Sequence, residues 1–135
     1  MILVDTSVMV DYLRGRDSAK TALFAEILFR DIPFGISAYT YQELLLGARD
    51  EKEFEKLEDY LSSQKIYFLP ADMDTHRKAA KIYFDLRRSG ITVRGSIDVL
   101  IALTAIENKL ALLHDDRDFD NMAAALDSLI ILEHI

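Results

Sequence analysis

The chain has 135 residues, half of them hydrophobic and 29% charged, a length and balance suited to one globular domain with a core of its own. It contains no cysteine, which excludes disulfides, thiolate zinc sites, iron–sulfur clusters and a cysteine nucleophile together. Sixteen Lys and Arg against 23 Asp and Glu leave a net charge of −7, which disfavours a protein that coats nucleic acid but permits an enzyme that meets RNA through bound cations and a local basic rim. The three histidines, His76, His114 and His134, are too scattered in sequence to suggest a histidine-built metal site. With no signal-peptide pattern and no apolar run approaching the length of a membrane span, the chain reads as cytoplasmic, neither secreted nor membrane-inserted.

Met1 to Val4 is a short apolar, β-branched run, so a strand is expected there. Asp5-Thr6-Ser7 follows at once, with side-chain oxygens suited to ending the strand and capping a helix over Val8 to Leu13, closed by Gly15. Ser18 to Arg30 carries a helical stripe of Leu23, Phe24, Ile27 and Leu28, which fits a core face; with Tyr12 and Phe29 nearby it also suits a partner groove. Phe34 to Ile36 reads as a second strand, and a helix opened by Ser37 or Thr40 runs to Gly47. A charged helix over Glu51 to Ser62 leads to a third strand, Ile66 to Leu69, ended by Pro70. Asp72 to Arg88 is the longest predicted helix, with Arg87-Arg88 and Ser89-Gly90 as its stop. Ser96 to Asn108 is so apolar that it must be buried; Leu110 to Leu113, Phe119 to Leu126 and Leu129 to Leu132 then read as strand, helix and strand. Short two-sided apolar strands alternating with helices predict a single α/β domain over residues 1–135: a three-layer α/β/α sandwich around a mostly parallel sheet.

Ligands in such sheets bind at the carboxyl ends of the strands, and that is where the acids fall. Asp5 ends the first strand, Glu43 lies about two helical turns beyond the second, Asp98 sits in the first turn of the apolar helix, and His114-Asp115-Asp116-Arg117-Asp118 ends the fourth. Each has a purely structural explanation. Asp5 suits a helix cap, Thr40-Tyr41-Gln42-Glu43 matches a capping box, Asp98 complements a helix dipole, and Asp116 and Asp118 suit a turn. Independent caps, however, have no reason to share one edge of one sheet, whereas a site for hard divalent cations requires it. Four carboxylates balance two such ions, which stabilise the attacking and leaving oxygens of an in-line displacement without any side-chain nucleophile. Metal-dependent phosphodiester hydrolysis is the reaction class that follows.

Ile2-Leu3-Val4-Asp5-Thr6-Ser7, Tyr41-Gln42-Glu43-Leu44, Ser96-Ile97-Asp98-Val99-Leu100-Ile101-Ala102 and Leu112-Leu113-His114-Asp115-Asp116-Arg117-Asp118-Phe119 resemble, in order and spacing, the four acidic motifs of the PIN-domain family, and within it those of VapC-type toxins. The resemblance spans nearly the whole chain. It implies that Asp5, Glu43, Asp98 and Asp116 form a quartet binding Mg²⁺ or Mn²⁺, with Asp118 an alternative or extra ligand. Thr6 or Ser7 would steady the first aspartate or a bound water. It further implies an endoribonuclease, commonly a homodimer, silenced by a cognate VapB-like antitoxin. Many relatives place a hydroxyl residue where His114 stands, so no hydroxyl contact is expected there.

Arg87, Arg88 and Arg94 are the basic residues near Asp98, readable either as RNA contacts or as a solvated helix end. Asp116, Asp118 and Asp120 imitate the start of an EF-hand loop, but Asn121 and Asp127 stand where its glycine and glutamate belong. A phosphate-accepting receiver domain fails as well, because its acidic pair after strand one, aspartate after strand three and late lysine are missing. The remaining alternative is a catalytically silent PIN-like module acting through protein partners, in which four mutually repelling acids would serve no purpose.

Overall fold

A computed structural model describes residues 1–135. Ile2, Leu3 and Val4 of β1 (Ile2–Val4) are all buried, because this strand is covered on both faces and lies in the middle of the sheet. The remaining elements are α1 (Thr6–Leu13), α2 (Ala19–Phe29), β2 (Phe34–Ser37), α3 (Ala38–Leu46), α4 (Glu51–Leu61), β3 (Ile66–Tyr67), α5 (Met73–Arg88), α6 (Ser96–Glu107), β4 (Ala111–Leu113), α7 (Arg117–Ala125) and β5 (Ile130–Ile131). The five strands pair in the order β3-β2-β1-β4-β5, all parallel.

Alternation along the strands divides the apolar residues between two cores. Leu3 and Leu112 point into one with Leu86, Val99, Ala102, Phe119 and Met122, from α5, α6 and α7. Ile2, Val4 and Leu113 point into the other with Val8, Phe24, Ile27, Leu44 and Leu61, from α1 to α4. This is the expected three-layer sandwich. The stripe on α2 goes to the core through Phe24 and Ile27, with Tyr12 edge-on to Phe24 at 4.9 Å, while Phe29 points to solvent. No helix is long and apolar enough to cross a membrane.

Local stops behave as their chemistry dictates. Gly15 and Gly90 follow the C-caps of α1 and α5 with φ of 71° and 78°, a conformation that costs glycine least. Gly35 in β2 meets a different demand, since a Cβ there would collide with the Tyr67 ring on the adjoining strand. Two strands are shorter than their apolar runs. β3 ends at Tyr67 with Phe68 69% exposed, and β5 spans only Ile130–Ile131. Both lie at sheet edges, where pairing is one-sided.

The strand order places the site. The chain runs outward from β1 to β2 and β3, then returns to the other side of β1 for β4 and β5, so the order reverses between β1 and β4. A crevice opens at the carboxyl ends of the strands at such a point. The helices α1, α3 and α7 begin within a few residues of the ends of β1, β2 and β4. Only Asn108 to Leu110 join α6 to the start of β4, so α6 ends at the opposite edge and its own N-terminus faces the crevice.

Candidate metal centre

Asp5 ends β1 and caps α1. Its Oδ2 accepts from the Ser7 backbone N–H at 3.0 Å and from Ser7 Oγ at 2.6 Å, while its buried Oδ1 has no partner. A buried carboxylate oxygen left unbonded is costly unless something positive meets it. Burial raises the Asp5 pKa above the ordinary carboxylate range despite the Ser7 and Thr6 donors, and Glu43 pushes it the same way. Ser7 Oγ also accepts from the Asp115 N–H at 3.0 Å, buckling the end of β1 to the end of β4.

Glu43 is not part of a capping box. Ser37, not Thr40, caps α3, its side chain accepting from the Thr40 N–H at 2.9 Å. That shift leaves Glu43 deep in the helix, where its Oε1 accepts from Thr6 Oγ1 at 2.8 Å. Thr6 Oγ1 lies 3.0 Å from Thr40 Oγ1, which lies 3.2 Å from Ser37 Oγ. A carboxylate only accepts, so the three hydroxyls must all donate in the direction Ser37 to Thr40 to Thr6 to Glu43. Ser37 and Thr40 are fully buried, so the relay is fixed by the core. Sequence reasoning offered Thr40 only as a helix cap and missed its place in this relay. The available signal was a polar residue on an apolar helix face, three positions after a better cap.

The other acids approach one another across the crevice. Oxygens of Asp98, Asp116 and Asp118 all lie within 4.8 Å of one another. Asp98 stands in the first turn of α6, whose N-cap, Gly95, has no side chain to offer. Burial, together with the carboxylates of Asp5, Asp116, Glu43 and Asp118, pushes its pKa up to about 6. All five acids therefore share one electrostatic environment. Asp116 caps α7 by accepting from the Asp118 N–H at 3.0 Å, and Asp118 is 8% exposed.

His114 is a strut for this loop. It is 1% exposed, its Nδ1 accepts from the Asp116 N–H at 3.0 Å, and its Nε2 sits 3.1 Å from Asp120 Oδ1. Since Nδ1 accepts, Nε2 must carry the hydrogen. Burial lowers the His114 pKa, which keeps that neutral form. Of the basic residues near Asp98, Arg94 turns to the acids, with Nε 3.3 Å from Asp118 Oδ2 and a terminal nitrogen 3.5 Å from Asp116 Oδ1. Arg87 and Arg88 remain exposed on the last turn of α5, Arg88 lying over the Phe84 ring.

The donor set suits a hard divalent cation. It offers only carboxylate oxygens, one of them buried and unpaired, in a crevice short of positive charge. Asp98, Asp116 and Asp118 are brought close enough together to share such an ion, with Asp5 and Glu43 on the same edge of the sheet outside that trio. Comparison with known proteins agrees with this architecture. A family model described as the PIN domain matches residues 2–125. The chain is 34% identical over 124 residues to Ribonuclease VapC11 of Mycobacterium tuberculosis and to VapC ribonuclease Mb1587 of Mycobacterium bovis, an alignment that covers 91% of this chain and 92% of each relative. Among solved structures it is similar to FitAcB from Neisseria gonorrhoeae, 26% identical with a TM-score of 0.69 over 98% of this chain and 97% of that one. The fold is also that of VapBC2 from Rickettsia felis bound to a DNA fragment from their promoter, with a TM-score of 0.73 at 24% identity over 98% of each chain. The chain belongs to the PIN-domain family, within its VapC branch.

Proposed function

We propose that the protein is a metal-dependent endoribonuclease, the toxin of a toxin–antitoxin pair. The acids at the β1–β4 crevice, with the unpaired Oδ1 of Asp5 among them, carry this reading. The relatives' names as VapC ribonucleases support RNA as substrate, and neighbours solved as VapBC assemblies support a VapB-like antitoxin as partner. A homodimer is part of the same reading.

When bound, Mg²⁺ or Mn²⁺ would supply the charge that lets a phosphodiester approach the acids and the Lewis acidity that activates the attacking water. Asp5, Glu43, Asp98 and Asp116 are the ligand quartet, with Asp118 able to replace or supplement Asp116. Ser7 holds one oxygen of Asp5 and leaves the other unpaired. The hydroxyl relay through Thr6 fixes one oxygen of Glu43 and leaves its second free. His114 orients Asp116 by gripping its backbone N–H. The attacking water and the leaving oxygen exchange protons with solvent.

Incubating total RNA with purified chain, freed of any co-purifying partner, in Mg²⁺, Mn²⁺ or EDTA tests the proposal. Discrete fragments that require the metal are expected. Intact RNA in every lane, from a folded chain that still binds Mn²⁺, would favour the silent binding module instead.

A further inference from the structure

A groove of about 680 Å³ lies between α1, α3 and α4, apart from the crevice but sharing Glu43 with it. Leu44 and Leu57 contribute its apolar lining, Tyr60 stands at one side, and Arg14, Arg49 and Lys56 are its cations. Against these stand two carboxylates, Glu43 and Glu53, and Glu53 is already engaged by Arg49 at 3.1 Å. Arg14 and Lys56 are exposed and have no ion-pair partner within the chain. In a protein of net charge −7, this is a local reversal of sign directly beside the acids. Free cations beside an exposed ring on an apolar floor are the combination that tracks a nucleic-acid backbone while giving a base a face to stack on.

We propose that this groove is a subsite for single-stranded RNA, seating the nucleotides that flank the bond to be cut. The inference rests on the ribonuclease reading. Arg14 and Lys56 contact phosphates, Tyr60 stacks on a base, and Glu43 marks the junction at which the strand passes into the crevice. A single strand is required because only an unpaired base can turn its face onto the Tyr60 ring. The cations give affinity without sequence readout, so any base preference comes from the Tyr60 side of the groove.

The test is fluorescence anisotropy with a short fluorescein-labelled RNA of mixed sequence, in the full chain carrying Asp5→Asn so that the RNA survives. Arg14→Glu and Lys56→Glu should each weaken binding by roughly tenfold and flatten the dependence of log affinity on log salt by about 0.7 per lost phosphate contact. Tyr60→Ala should weaken binding but leave the salt slope unchanged. Lys109→Glu makes the same change in net charge at the far edge of the sheet, where α6 ends, and should do nothing. Circular dichroism checks that each variant is folded. An equal loss in Lys109→Glu would reduce the effect to overall charge and overturn the proposal. So would unchanged RNA affinity in the Arg14 and Lys56 variants, including the case in which those variants lose only the capture of an antitoxin. Because binding is read on a chain that cannot cut, these failures leave the nuclease reading standing. Wild-type chain that binds RNA through the groove yet never cleaves it would instead refute the nuclease alone.

Discussion

The two sides of the acidic crevice are held in opposite ways. On the side of β1 and β2, Asp5 and Glu43 are positioned by neutral donors, namely Ser7 and the buried relay of Ser37, Thr40 and Thr6, with no cation in contact. On the side of α6 and α7, Asp98, Asp116 and Asp118 crowd together, and the only cation that reaches them is the exposed guanidinium of Arg94. The first side is wired into the core and cannot relax. The second is a charge cluster compensated by a side chain free to leave. A preorganised half and an adjustable half suit a site that must lose charge repulsion when metal arrives without losing its geometry.

The comparison breaks most severely at Asp5. Asp5→Asn should lower metal-dependent RNA cleavage by at least ~10³-fold, the scale of several kcal/mol of lost charge stabilisation. Its folded pKa is raised, so ionising it costs more in the metal-free fold than in the unfolded chain, and an amide relieves that cost. Thermal melting in EDTA should therefore show the variant as stable as wild type or more so. A collapse of folding would assign Asp5 to helix capping alone.

Thr6→Val removes the last hydroxyl of the relay while keeping its shape. Cleavage should fall by roughly 10–100-fold, as for other groups that orient a metal ligand, with Mn²⁺ binding measured in parallel. Wild-type rates would show that Glu43 needs no orienting.

The adjustable side should be sensitive to pH. The Asp98 pKa is about 6 in the metal-free fold, against an ordinary value of 3.8. Its contribution to stability is therefore present at pH below the ordinary value and lost as pH rises through about 6. Metal requires the ionised carboxylate, so Mn²⁺ affinity should move the other way, rising through the same range. Calorimetric titrations on either side of pH 6 check this, and a flat profile would remove Asp98 from the ligand set.

Arg94→Gln should have the smallest effect. Its ion pairs are long and its side chain is 77% exposed, so melting should barely change. Mn²⁺ affinity should rise at most a few-fold as a competing cation is lost. A large drop in affinity would mean that Arg94 builds the site instead of balancing it.

The sequence made the ends of β1 and β4 legible, and with them Asp5 and Asp116, because a short apolar run followed by Asp-Thr-Ser or His-Asp-Asp is a local signal, while Asp98 was legible from its place in the first turn of an apolar helix. The burial of α6 was equally plain from its composition. Glu43 was ambiguous because Ser37 and Thr40 are both competent caps, and only the tertiary placement of β2 selects Ser37. Which acid after β4 turns inward depends on where α7 begins. With Asp116 as the cap, Asp118 falls on the buried face, a one-residue matter that propensity does not resolve. The Thr6–Glu43 bond joins residues 37 apart in sequence, so no local pattern announces it. Arg94 was visible as a cation near Asp98, but its commitment to Asp116 and Asp118 depends on the packing of α6 against α7.

The central claim is that these acids form one metal centre, and Mn²⁺ titration of the wild-type chain beside Asp5→Asn and Asp98→Asn tests it most directly. The account predicts saturable Mn²⁺ binding by wild type above pH 7 and affinity at least about tenfold weaker in each variant, with circular dichroism spectra that overlay. Equal Mn²⁺ affinity in all three folded proteins would contradict it.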